Sequence, residues 1–178
     1  MTAWPKGFCS YVTNIGVKNA EDDFVVIATT HLSPAAAIFT QSRFAGCSVV
    51  LSRQHCANRA LRAFVVLSKN ANVATGSQGM ANAREIVSIV AARLGCDPAD
   101  ILIASTGVIG RQYPMQQLRA SLASLPLPSA TEADAAARGI MTTDTFPKLA
   151  SASVGSATIV GIAKGVGMIE PKDRKSVV

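Results

Sequence analysis

The sequence predicts a chain in which strands alternate with helices, the pattern of the α/β or α+β class. Three observations carry that reading. Continuous apolar runs at Phe24–Thr29, Ala63–Ser68 and Ile101–Ser105 have the composition of strands covered on both faces. A long amphipathic segment, Gly79–Leu94, separates the second run from the third. At least two more helical segments follow, at Met115–Leu122 and Thr131–Met141.

The elements read in order as follows. Gly7–Val12 is a short strand candidate, and Asn14–Lys18 a turn or small strand. Asp22-Asp23 leads into the Phe24–Thr29 run, and Ala35–Thr40 is expected to form the next strand after Pro34. Ser48–Leu51 is short, apolar and followed by polar residues. Lys69–Gly76 reads as a turn, because Asn and Gly tolerate left-handed backbone angles. The Gly79–Leu94 helix carries Ile86, Val87, Ile89, Val90 and Leu94 among Arg84, Glu85 and Arg93, and Gly95 ends it. Asp97-Pro98 fits a cap followed by a proline in a first helical turn. Thr106–Gly110 reads as the turn after the Ile101–Ser105 strand. Leu125–Ser129, with two prolines, is a loop, and Thr131–Asp134 opens an Ala-rich helix with an acidic first turn. Ser151–Ser156 and Ala157–Ala163 form a hairpin turning at Gly155-Ser156.

Composition narrows the function. The chain has 178 residues, the size of one domain, and 49% of them are hydrophobic, enough for a well-buried core. Its net charge of +6 comes from scattered basic residues, apart from Lys172, Arg174 and Lys175. Without a basic stripe, and with nine Phe, Tyr and Trp in all, the chain lacks the footprint of a nucleic-acid surface. A site for anionic small molecules suits the charge equally well. Cys9, Cys47, Cys56 and Cys96 form no C-x-x-C pair and no zinc spacing with His31 or His55, so no metal site is expected and the thiols read as buried and reduced. No apolar signal core follows the first residues, and no run of about 18 apolar residues would span a membrane. A cytoplasmic location is expected on those grounds.

Ordinary catalytic sets are missing: there is no G-x-S-x-G elbow and no phosphate loop, since Thr75–Gly79 lacks the lysine and the spacing. Three small features could carry chemistry. Ser105-Thr106-Gly107 can aim backbone N–H groups and a hydroxyl at one point, as a tetrahedral acyl-transfer intermediate requires. Thr142-Thr143-Asp144-Thr145 gathers three hydroxyls and a carboxylate, a pattern that also suits a helix end with local hydrogen bonds. Lys164, between an apolar strand and Gly165, could meet a carboxylate or an amide oxygen, or simply be solvated.

Taken together these segments identify more. Phe39–Gly46, Lys69–Gly76, Ala104–Gly110, Ile140–Thr145 with Pro147-Lys148, and Ala163–Pro171 occur in that order. The series resembles the α subunit of the bifunctional ornithine acetyltransferase / N-acetylglutamate synthase (ArgJ-like) family over roughly residues 5–171. Arg43–Gly46 and Asn70–Val73 resemble the copies found in antibiotic-biosynthesis clusters more than the arginine-pathway form. The resemblance implies a layered α/β sandwich. It implies a precursor that cleaves itself before a threonine, whose free α-amine serves as base for its own hydroxyl. That threonine, on a β chain, takes acetyl from N-acetylornithine and passes it to glutamate, with no cofactor and no acetyl-CoA for the cyclic reaction. By the same resemblance Thr106 and Gly107 form the oxyanion hole, and Thr142 and Lys164 are substrate contacts. The assembly implied is α2β2 or larger, with no nucleic-acid or membrane partner.

The sequence departs from the family after Pro171. Lys172–Val178 stands where the family continues into its nucleophilic threonine, and Lys175 occupies the position of that residue. The division expected is therefore an acetyltransferase-like domain at 1–171 and an atypical charged tail at 172–178. The nucleophile is expected on a separate chain. The alternatives are a truncated precursor or a non-catalytic ligand-binding homologue.

Overall fold

A computed structural model describes residues 1–165. The expected charged tail at 172–178 and the Val166–Pro171 part of the family motif lie outside the described residues. A four-stranded sheet in the order β1-β2-β3-β4 organises the fold. Its strands are β1 (Phe8–Thr13), β2 (Phe24–Pro34), β3 (Ala60–Asn70) and β4 (Ile101–Val108). The first three pair antiparallel, and β3 pairs parallel with β4. A parallel pair needs a crossover, supplied here by α2 (Gly76–Leu94).

Strand alternation divides the side chains between two cores. On one face Phe24, Val26, Val65, Leu67, Ile101 and Ile103 pack against Ile86, Val87 and Val90 of α2. Leu51 of α1 (Cys47–His55) and Leu118 and Leu122 of α3 (Met115–Ala123) complete that layer. On the other face Val25 and Val66 meet Ala136 and Ile140 of α4 (Asp134–Gly139) and its end. α4 can approach closely because Gly139 has no side chain: a Cβ there would stand 2.5 Å from Val25 Cγ2 and 2.9 Å from Val12 Cγ1. A separate hairpin, β5 (Lys148–Val154) and β6 (Ala157–Ala163), touches this second core through Ile162.

Most sequence-predicted elements are present; β3 runs on through Lys69 and Asn70, expected in a turn, because they pair with Gly107 and Val108, and four other segments differ. Ala35–Thr40 is not a strand. β2 ends at Pro34, and beyond it Ala35 N–H bonds to the Arg59 carbonyl while Ile38 stands fully exposed. Ser48–Leu51 is helical, and its buried positions Ser48, Leu51 and Ser52 follow helical spacing. Thr106-Gly107 is not a turn: β4 continues through Val108, with Thr106 opposite Ser68 and Gly107 opposite Lys69. The Thr131–Met141 helix shortens to Asp134–Gly139. Its expected first turn is drawn into bridges instead: Ala130 pairs with Ser10, Glu132 with Ala3, and the Asp134 carboxylate accepts from Thr2 N at 2.7 Å.

Candidate functional site

In open α/β sheets ligands gather beyond the carboxyl ends of parallel strands. β3 and β4 are the parallel pair here, and Thr106 and Gly107 lie exposed at the carboxyl end of β4. Gly107 has φ +144°, and a Cβ on it would fall 2.0 Å from the Lys69 carbonyl carbon. Only a residue without a side chain lets the strands run this close.

A polar network underlies this end of the sheet. Lys69, Asn72 and Ala74 all have positive φ, so the chain leaving β3 coils tightly. The Asn70 side chain joins the two loops that leave the parallel strands. Its Oδ1 accepts from Asn72 N at 3.0 Å, and its Nδ2 donates to the Gln112 carbonyl at 3.1 Å. Ser105 Oγ donates to the Asn70 carbonyl. Asn72, fully buried, donates to the Gly79 carbonyl at 3.1 Å and accepts from Thr75 Oγ1 at 2.8 Å. Tyr113 lies within hydrogen-bond distance of Ser48 Oγ, 3.2 Å. Burial pushes the Tyr113 phenol up from its usual value, against the opposing pull of hydrogen bonds from Ser105, Ser48 and Asn72. It therefore stays a neutral member of the network at physiological pH.

Of the other two expected site residues, Thr142 meets one carboxylate directly, and Lys164 is brought to it by its neighbour Gly165. Asp144 accepts from Thr142 N–H at 3.2 Å, from Gly165 N–H at 2.6 Å and from Lys148 Nζ at 2.7 Å. Its side chain is 1% exposed. Burial alone would push this carboxyl up, but the Lys148 ammonium and the two backbone N–H groups outweigh it and bring it down to about 2. Burial pushes the Lys164 ammonium down, Asp144 opposes that, and Lys148 adds to it.

Two further side chains fix the segment before Thr142. The Ser68 hydroxyl donates to the Gly139 carbonyl at 2.7 Å, and Lys18 Nζ donates to the Met141 carbonyl at 3.0 Å. Carbonyls at a helix end lack intrahelical partners, and a cation there also suits the helix dipole. Lys18 is itself held by a loop whose N–H groups at Ile15, Val17 and Lys18 converge on the buried Asp23 carboxylate. The site residues thus form two groups, Thr106 with Gly107 and Thr142 with Lys164. Ser68 links them, opposite Thr106 on one side and bonded to Gly139 on the other.

Sequence reasoning gave no site role to Ser68, Lys18 or Asn70, whose partners Gly139, Met141 and Gln112 lie 71, 123 and 42 residues away. Asp144 was visible as the carboxylate of the Thr142–Thr145 cluster, but nothing local marked its bond to Gly165. The histidines take no part: His31 is exposed, and His55 Nδ1 lies 2.7 Å from the Ile101 carbonyl, a packing role. All four cysteines are unpaired thiols. Among the described residues no helix is long and apolar enough to cross a membrane.

Known proteins share this sequence and architecture. Residues 10–174 match the ArgJ family. A glutamate N-acetyltransferase of Streptomyces clavuligerus is 53% identical over 169 residues, covering 94% of this chain and 43% of the relative. The arginine biosynthesis bifunctional protein ArgJ 2 of a Nostoc species is 48% identical, with 94% and 43% covered. The chain therefore spans less than half the length of these relatives. The crystal structure of ornithine acetyltransferase complexed with ornithine from Mycobacterium tuberculosis superposes with a TM-score of 0.87 at 30% identity, covering 94% of this chain and 92% of that one. The layered α/β fold is thus that of solved ArgJ structures, and by sequence and structure together the chain belongs to the ArgJ family.

Proposed function

We propose that this chain is the α subunit of an acetyltransferase that moves acetyl from N-acetylornithine to glutamate. The observation that carries the reading is the convergence of Thr142 and the Lys164-Gly165 segment on one buried carboxylate. It occurs in a chain of nearly the same extent as one crystallised in an ornithine complex. Two contacts from distant parts of the sequence are thereby held ready for a polar small molecule.

In the proposed cycle a threonine hydroxyl from a β chain attacks the amide carbon of N-acetylornithine. The carbonyl oxygen becomes an oxyanion, which Thr106 and the Gly107 backbone stabilise at the open end of β4. Collapse of the intermediate breaks the C–N bond, and ornithine leaves as the amine after taking a proton. An acetyl-threonine ester remains. The glutamate amine attacks that ester through a second oxyanion at the same place, and threonine leaves with its proton restored. Thr142 and Lys164 hold the amino-acid portions. Exposed apolar residues support a partner chain in an α2β2 or larger assembly: Phe8, Phe64, Val154 and Ile159 are 40, 38, 62 and 57% exposed. Arg43–Gly46 supports the antibiotic-cluster type of the family.

The test is kinetic. The chain is produced together with the segment that follows this region in the Streptomyces relative, and acetyl transfer is measured for wild type, Thr106→Ala and Lys164→Ala. Thr106→Ala should lower kcat by about a hundredfold or more with KM little changed, because the oxyanion exists only in the transition state. Lys164→Ala should raise KM as well. Wild-type kinetics in both variants would sink the assignment, and binding of N-acetylornithine without turnover would mark a non-catalytic homologue.

A further inference from the structure

Resting on that reading, we infer that Asp144 is the positioning residue of the substrate contacts: its carboxylate fixes where Thr142 and the Lys164-Gly165 segment stand relative to each other. The contacts around it form a closed ring. Asp144 Oδ1 accepts from Lys148 Nζ at 2.7 Å, at the start of β5. Lys148 lies opposite Ala163 in the β5–β6 register, and Ala163 leads directly to Lys164. Gly165 N–H then returns to the same Oδ1 at 2.6 Å. From the other oxygen, Oδ2, the Thr142 N–H is held at 3.2 Å. A carboxylate that merely capped the end of α4 would need its local partners alone. This one also binds a backbone group 21 residues away, beside the candidate substrate lysine.

The chemistry of the ring explains why the residue is acidic. The Lys148 ammonium lies against a carboxylate side chain that is 1% exposed, and the Lys164 charge also acts on this region. Lys148 Nζ also lies 5.1 Å from the centroid of the Phe146 ring, a second contact for the same ammonium. Lys18, the other cation of this region, is directed to the carbonyls of Asp22 and Met141 and lies 3.6 Å from Glu21 Oε2. An amide at position 144 would leave the repulsion of Lys148 on Lys164 without the opposing charge of Asp144. A half-buried lysine in that position gives up its proton more readily.

The experiment follows the Lys164 side chain directly. The full 178-residue chain is labelled with ¹³C,¹⁵N-lysine, the Lys164 signal is assigned with Lys164→Arg, and its titration is recorded by NMR. Asp144→Asn should move the Lys164 midpoint down, because the opposing charge is removed. Lys148→Met, which removes the competing cation and keeps Asp144, should move it up. The second variant decides the matter if the first does not fold. A Lys164 midpoint unchanged by Lys148→Met, and by Asp144→Asn where that variant folds, overturns the inference. In the co-produced enzyme, Asp144→Asn should raise KM for N-acetylornithine about tenfold and change kcat less than threefold. If Lys164 shifts as expected but neither Asp144→Asn nor Lys164→Ala alters that KM, Asp144 keeps its hold on Lys164 and the substrate reading is what fails.

Discussion

The Ser68 hydroxyl donates a 2.7 Å hydrogen bond to the carbonyl of Gly139, 71 residues further along the chain. The bond is buried, and it ties the central sheet to the end of α4. Ser68 is also the register partner of Thr106. One hydroxyl therefore sets the distance between the end of β4 and the loop that carries Thr142. Ser68→Ala should cost about 1–2 kcal/mol, because the Gly139 carbonyl is left buried without its donor. Urea denaturation measures this directly, and a loss below about 0.3 kcal/mol would remove the bond from the account.

Gly107→Ala should be far more damaging than an ordinary glycine replacement. The new methyl would overlap the Lys69 carbonyl, and φ of +144° is strained for any side chain. Separating β3 from β4 to relieve the overlap should cost about 3 kcal/mol or more. Thermal melts of Gly107→Ala and of Gly161→Ala make the comparison, since a Cβ at Gly161 meets nothing within 4 Å and its φ is not positive.

Asn72 combines a left-handed φ of 49° with full burial and bonds through both ends of its amide. Asn72→Ala loses those bonds and adds a backbone penalty, for an expected cost of about 2–3 kcal/mol. Hydrogen exchange in the 70–76 loop should accelerate with it. Unchanged protection there would show that the amide does not hold the loop.

Asp144 gives the molecule an acid limb. Its carboxyl falls from the ordinary 3.8 to about 2 in the folded chain. The unfolded chain therefore takes up this proton first as pH drops. The stabilisation is complete above about pH 4 and disappears as pH falls through 2, a loss of about 2 kcal/mol. Denaturant midpoints of wild type and Asp144→Asn should converge as pH falls from 5 to 2. Parallel curves over that range would mean that Asp144 ionisation contributes nothing to folding.

The sequence by itself determined the class, most of the elements and the family. Apolar runs such as Phe24–Thr29 and Ile101–Ser105 bury both faces wherever they are placed, so their pattern is legible without neighbours. The α2 helix and the turn at Gly155-Ser156 rest on local backbone preferences and were equally legible. Local signals failed where distant partners intervened. Thr106-Gly107 has the composition of a turn, yet pairing with Ser68 and Lys69 extends β4 through it. Ala130 and Glu132 have helix-compatible neighbours, yet Ser10 and Ala3 draw their backbone into bridges. The candidate site divides in the same way: Thr106, Gly107, Thr142 and Lys164 could be named as candidates from motifs in chain order. Which of them meet was decided by tertiary structure alone, because the Ser68–Gly139 and Asp144–Gly165 bonds join groups that no local periodicity relates.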